Sequence, residues 1–328
     1  MLRIPLLIAA TLLFCTSPAT RALMSGSLPD TPSRRLDLGG TESPFAGVGS
    51  IVIGGHTYTG TLISPRHVLT AAHVVSGATP QALGFNLISH GVISRQIGVI
   101  SISIHPAYTG FEPRHPAEGD LAILHLSESV PAVYPHYRLL RQRLGPGTQI
   151  TLAGFGASGN GDSGISVGAD PRMRRIGSNH ADVIGAARSG KTNAVYYFDF
   201  DGPPPAQNRF GGGGLGNTHE TSLANGDSGS PAFVRDGRGR LWLAGVNSFR
   251  FGETSGFGNG GGGQLVAAHA EWIDGIVASP LPLRVEQRPP VAERRHAAAR
   301  AEPPQNENCP PRVELVTSKG RPAKLESR

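Results

Sequence analysis

Short apolar runs, broken by loops rich in Gly, Pro and Asn, restrict this chain's fold more than any other feature. Gly47–Ile53 and Thr57–Ile63 flank Gly54-Gly55 and predict a β-hairpin. Val68–Val75 follows, placing His73 at a strand end where a short helical turn can start. Further runs occur at Gly98–Ile104, Leu121–Leu126, Gln149–Phe155, Ala194–Phe200, Ser230–Phe233 and Leu241–Val246. Forty-five glycines, many in Gly211–Gly214 and Gly258–Gly263, predict an all-β chain with long irregular loops. One helix is predicted over Ala267–Val277, where Trp272, Ile273 and Ile276 fall at helical spacing.

The two ends read differently from the middle. Residues 1–22 carry Arg3, an apolar run from Ile4 to Phe14 and a small, polar end, which is the layout of a secretory signal too short to span a bilayer. The expected location is therefore secreted, extracellular or periplasmic. Residues 23–35 read as a possible pro-segment with the dibasic end Arg34-Arg35, 36–280 as the folded domain, and 281–328 as a disordered Pro/Arg-rich tail with no membrane anchor. Cys15 belongs to the signal, which leaves Cys309 alone in the mature chain. With no internal disulfide, a core of roughly 245 residues must hold the domain together, a length that suits one large all-β domain or two small barrels. Cysteine metal clusters are excluded. The formal charge of +6 resides in the ends, since 36–280 holds sixteen Lys/Arg against seventeen Asp/Glu. A near-neutral domain argues against a nucleic-acid partner.

Asn225-Gly226-Asp227-Ser228-Gly229-Ser230-Pro231 holds a serine between glycines at the entry to an apolar strand, which makes Ser228 a candidate nucleophile. Three other motifs compete with it. Gly161-Asp162-Ser163-Gly164 repeats the four-residue core but lacks the Pro-apolar continuation, so Ser163 reads as a loop residue. Gly154-Phe155-Gly156-Ala157-Ser158-Gly159 has dinucleotide-turn spacing without a following helix. Gly185–Thr192 satisfies the phosphate-loop pattern, with Lys191 in the cation position, yet runs into the β-prone Ala194–Phe200. Neither nucleotide reading has the helix N-terminus it requires.

A serine needs a base and an orienting group. His73 and Asp120 are the candidates, because a carboxylate abutting the apolar run 121–126 is costly to bury without a partner such as an imidazole N–H. His105 and His125 read as surface or strand-end histidines.

His73, Asp120 and Ser228 in that order resemble the chymotrypsin-like (trypsin-type) serine peptidases. The resemblance is carried by Leu69–His73, Asp120–Leu124, Gly154–Gly156, Gly226–Pro231, Ser248-Phe249 and Trp272-Ile273, and covers 45–278. It implies two six-stranded antiparallel β-barrels with the site between them and a C-terminal helix. It implies an endopeptidase acting on proteins or peptides without cofactor or metal, expected to be a monomer. Ser228 would attack, His73 would shuttle the proton, Asp120 would orient His73, and the N–H groups of Gly226 and Ser228 would form the oxyanion hole. Ser248 matches the serine that supports the buried aspartate. The scarcity of cysteine fits a bacterial secreted member.

In that family the mature chain commonly starts Ile-Val-Gly-Gly, and its ammonium pairs with the aspartate beside the nucleophile. Asp227 is present, and Leu36-Asp37-Leu38-Gly39-Gly40 after Arg35 is the expected start, making Leu36 its partner. Ser222 falls at the base of the specificity pocket and Gly261 in its wall, which implies an uncharged or hydrophobic preference. Phe249 lines the pocket, and Arg250 stands where it would block or recharge it. The alternatives from other classes are a catalytically silent or zymogen-locked binding protein, and an ATP-binding protein acting through Lys191.

Overall fold

The computed structural model describes residues 23–110, 116–203, 208–252 and 254–280, together with Leu315–Val316 and Pro322–Ala323. The expected signal and nearly all of the expected tail, Cys309 included, lie outside the described residues. The two short tail segments pair with each other as an antiparallel ladder.

Strands β1 (Val48–Ile53), β2 (His56–Ser64), β3 (His67–Thr70), β4 (Gly84–Ser89), β5 (Val92–Ile104) and β6 (Ala122–Leu126) close into an antiparallel barrel in the order β1-β2-β3-β6-β5-β4. The predicted hairpin is β1 and β2. Ile53 pairs with His56 across Gly54 and Gly55, whose φ values of +56° and +80° suit the mirror-image turn that matches strand twist. Helix α1 (Ala72–Val75) follows β3 directly and carries His73.

The second half contains β7 (Thr148–Gly154), β8 (Ser158–Asn160), β9 (Gly164–Val167), β10 (Arg175–Ala181), β11 (Val183–Gly185), β12 (Val195–Asp199), β13 (Pro231–Arg235), β14 (Leu241–Phe251) and β15 (Gly260–Leu265). Here the expectation of two six-stranded barrels needs adjusting. This half is a curled seven-stranded sheet, β10-β7-β13-β14-β15-β12-β11, with β8 and β9 forming a separate pair. Short β11 adds to the outer edge of β12, so the sheet gains a strand.

The run 258–263, read as loop from its glycines, supplies most of β15 instead. Glycine weakens a strand because it brings no side chain to pack. Here the side chain has no room. A Cβ on Gly262 would lie 2.1 Å from the Tyr196 carbonyl oxygen and 2.6 Å from the Phe249 ring. The predicted helix is a 3-10 turn over Val266–His269 followed by α2 (Ala270–Ala278).

One of the hydrophobic clusters joins both halves: Phe85, Leu69 and Ile123 of the barrel share it with Phe155, Phe233, Val246 and Ile273. Each fully buried side chain of this size contributes about 1.5–3 kcal/mol. The cluster does the work that disulfides would otherwise share.

Candidate active site

His73 and Asp120 meet because β3 and β6 are neighbours, with Thr70 paired to Ala122. One residue past β3 the chain turns into α1, and one residue before Leu121 it presents Asp120. The Asp120 carboxylate is 3 % exposed and grips His73 twice. Oδ1 accepts the His73 backbone N–H at 2.8 Å, and Oδ2 lies 2.7 Å from Nδ1. An ionised carboxylate only accepts, so Nδ1 carries the proton and Nε2 keeps its lone pair. The imidazole is 32 % exposed. Burial pulls its pKa down, but the charge and hydrogen bond of Asp120 outweigh that and hold it above 6.5.

Ser228 sits on the turn before β13, where the two halves touch. Its carbonyl accepts the Thr59 N–H of β2 at 3.1 Å, and the next amide, Gly229, donates to the Asn247 carbonyl of β14 at 2.8 Å. Thr70, three residues before His73, donates its hydroxyl to the Thr59 carbonyl at 2.9 Å. The serine's backbone is thus tied to the strand end that leads to the histidine. Among the described residues, the amides of Gly226 and Ser228 donate to no backbone carbonyl.

Asp227 is fully buried. Its carboxylate accepts N–H groups from Gly156 at 3.0 Å and Ala224 at 2.9 Å, and also from Leu23. Burial pushes its pKa up to about 7 against the pull of these amides and of Arg175. Leu36, expected here, is elsewhere. Its amide donates to Ser33 at 3.3 Å, it bridges to Arg175, and the following Asp37 pairs with Arg174 at 2.9 Å. The residue at Asp227 is Leu23.

Leu23 and Met24 are fully buried. The Met24 N–H donates to Ser222 at 3.0 Å, and the Ser158 hydroxyl donates to the Leu23 carbonyl. Leu23 packs in a cluster with Leu223 and Phe198. The dibasic end is also engaged: Arg35, its side chain 8 % exposed, pairs with Asp30 and donates to the Glu220 carbonyl at 2.8 Å. Two apolar residues and two small ones, Leu23-Met24-Ser25-Gly26, were the available signal.

Around the expected pocket, Ser222 is buried and Phe249 packs edge-on to Tyr197 at 5.3 Å. Ser248 lies at a bulge in β14, and no hydrogen bond joins it to Asp120 among the described residues. Gly261 pairs with Arg250. Arg250 donates to Ser255 and to Asn225, the residue that opens the nucleophile motif.

Ser163 stands apart, exposed on the turn between β8 and β9 with its hydroxyl on Asn160 at 2.7 Å. The residues after Gly154–Gly159 form β9, and Lys191 lies on a turn leading into β12, so neither glycine motif opens a helix. His125, read as a surface or strand-end histidine, is the penultimate residue of β6 and is 5 % exposed, its ring 5.0 Å from that of His67. Every residue of β6 is buried, so both faces of this strand are covered. Among the described residues, no group of three His, Cys, Asp or Glu is arranged to hold a metal, and no helix is long and apolar enough to cross a membrane.

The sequence profile described as Trypsin matches residues 39–273. Chymotrypsin-C of Bos taurus is 39% identical over 79 residues, which is 23% of this chain and 28% of that protein. The matched stretch is thus under a third of that relative's length. Among solved structures, "Neuropsin, a serine protease expressed in the limbic system of mouse brain" superposes with a TM-score of 0.52 at 18% identity, covering 72% of this chain and 96% of that one. At that identity the likeness is one of fold.

Proposed function

The chain belongs to the trypsin family, and we propose that it is a secreted serine endopeptidase acting on protein or peptide substrates through His73, Asp120 and Ser228. The observation that carries the reading is the double grip of Asp120 on His73, which leaves Nε2 as the base. Ser228 Oγ attacks the scissile carbonyl carbon while its proton passes to Nε2. The oxyanion formed is met by the amides of Gly226 and Ser228, each donor being worth on the order of 10²–10³ in turnover. As the C–N bond breaks, Nε2 returns the proton to the leaving amine. Water then repeats the sequence on the acyl-enzyme and frees Ser228. His73 must be neutral to act, so kcat/KM should rise with pH through a midpoint above 6.5.

The reading extends to the start of the active chain. A buried carboxylate is most stable beside a cation, and an α-ammonium on Leu23 would provide one where an amide now donates. Residues 23–35 then belong to the folded domain, and the bond before Leu23 is the one to be cut. Signal removal and activation become a single step. Ser222 places no charge at the pocket base, so an Arg or Lys preference is not expected.

A fluorophosphonate probe tests the chemistry. It should label the secreted protein at Ser228 and lose that label in Ser228→Ala; labelling that persists there overturns the assignment. N-terminal sequencing of labelled material tests the start. Leu23 is expected, and a start at Leu36 refutes the pairing with Asp227.

A further inference from the structure

Arg250 is half-buried on β14, two residues beyond Ser248 and opposite Gly261 of β15. Its guanidinium crosses from its own strand to the nucleophile turn. Nη2 donates to Asn225 Oδ1 at 2.9 Å, three residues before Ser228, and Nη1 donates to Ser255 Oγ at 2.8 Å. Both acceptors are neutral. Among the described residues, Arg35 pairs with Asp30 and Arg174 with Asp37, while Arg66, also partly buried, donates to the backbone carbonyls of Leu126 and Ser127. Among the described residues, no carboxylate forms an ion pair with Arg250. Asp227, the nearby acid whose field it feels, has its carboxylate occupied by the amides of Gly156, Ala224 and Leu23.

A cation taken partly out of water without an anion is costly. Burial accordingly pulls the Arg250 pKa down. A guanidinium has five N–H donors, and the Asn225 and Ser255 bonds use two, leaving an edge of the fork for a planar acceptor. Asn225 and Ser255 hold the side chain in place, so little rotamer freedom remains to be lost when that acceptor arrives. The acceptor that fits such a fork is a carboxylate. Its position decides whose carboxylate: Arg250 is anchored through Asn225 on the turn that carries Gly226 and Ser228. A lysine or arginine side chain there would meet like charge. A large apolar one would have to displace the guanidinium.

Resting on the endopeptidase reading above, we infer that Arg250 is the specificity-determining residue of this site and that it selects substrates with aspartate or glutamate on the acyl side of the scissile bond. The preference is then acidic, where Ser222 alone implied an uncharged one.

The test is a fluorogenic peptide panel with Asp, Glu, Asn, Gln, Leu, Phe, Lys or Arg before the scissile bond, run on the wild type, Arg250→Gln and Arg250→Lys. In the wild type, kcat/KM for Asp or Glu should exceed that of the Asn or Gln isostere by about tenfold or more, the worth of one charge-assisted hydrogen bond. Arg250→Gln should bring the ratio to about one, and Arg250→Lys should keep part of it. Glu253, three residues on, lies outside the described residues, so Glu253→Gln joins the panel and should leave the ratio unchanged. A wild type that prefers Leu or Phe, or a ratio unaffected by Arg250→Gln, overturns the inference. So does an acid preference that appears only in Glu253→Gln. Fluorophosphonate labelling of the same samples separates the two levels: a labelled enzyme without acid preference refutes the role of Arg250 alone, whereas an unlabelled wild type refutes the endopeptidase reading and this inference with it.

Discussion

Gly161-Asp162-Ser163-Gly164 and Gly226-Asp227-Ser228-Gly229 spell the same four residues and live in opposite surroundings. Asp162 is exposed; Asp227 is fully buried and held by three amides. The Ser163 hydroxyl is spent on Asn160, while Ser228 is pinned by its backbone between β2 and β14. Gly164 turns in open space, whereas a Cβ on Gly229 would lie 2.0 Å from Thr70 Oγ1 and 2.2 Å from the Thr59 carbonyl oxygen. The difference lies in what each turn docks on. Four letters specify a tight turn, and the strands meeting Thr59, Thr70 and Asn247 make one of the two turns a site.

The sharpest way to break the comparison is to exchange the hydroxyls. Ser228→Ala should lower peptide turnover by on the order of 10⁴–10⁶, and Ser163→Ala should leave it at the wild-type rate. Equal losses would mean that the two turns are not distinguished by their docking. The glycines give a smaller, structural contrast. Both have positive φ, +74° at Gly164 and +82° at Gly229, so alanine costs about 1–2 kcal/mol at either. At Gly229 the overlap with a backbone carbonyl adds about 1–3 kcal/mol. Urea unfolding should therefore show Gly229→Ala losing about 2–5 kcal/mol in sum, against the 1–2 at Gly164. Similar losses would show that the turn does not press on β2.

The same comparison shows what was legible beforehand. Pro231 and the apolar residues after Ser228 are local signals, and they separated the two serines before any contact was known. The short apolar runs located β1, β2, β6 and β14, because a strand buried in a sheet leaves an apolar stretch in the chain. Other features left no such trace. β15 was hidden because its glycines answer to crowding by Tyr196 and Phe249, residues far off in sequence. Leu23 was hidden because its importance is the burial of its backbone against Asp227, and a conspicuous Arg34-Arg35 lay downstream. The tie of Arg250 to Asn225 depends on how β14 faces the nucleophile turn, which no spacing in the chain expresses.

The last contrast concerns charge and should have the smallest effect. With an amide at residue 23, Asp227 titrates near 7 in the folded chain against 3.8 for an ordinary aspartate. The folded state then binds this proton more tightly than the unfolded state. Asp227 therefore favours folding at pH below 3.8, and that contribution is lost as pH rises toward about 7. An ammonium on Leu23 reverses the sign, since it holds the carboxylate ionised and makes the same carboxylate favour folding as pH rises. Urea midpoints between pH 2 and 8 are compared for a chain that retains residue 22 and one that starts at Leu23, each referenced to its own Asp227→Asn variant: the first should fall as pH rises from 3.8 toward about 7, whereas the second should stay level there and fall only as pH drops below 3.8. That reference removes Asp182 and Glu220, whose pKa values burial and neighbouring carboxylates raise to about 8. Asp162→Asn is the control at the exposed copy. Parallel slopes in the two chains would show that the Leu23 amine never reaches Asp227, and would leave the buried carboxylate to its amide donors alone.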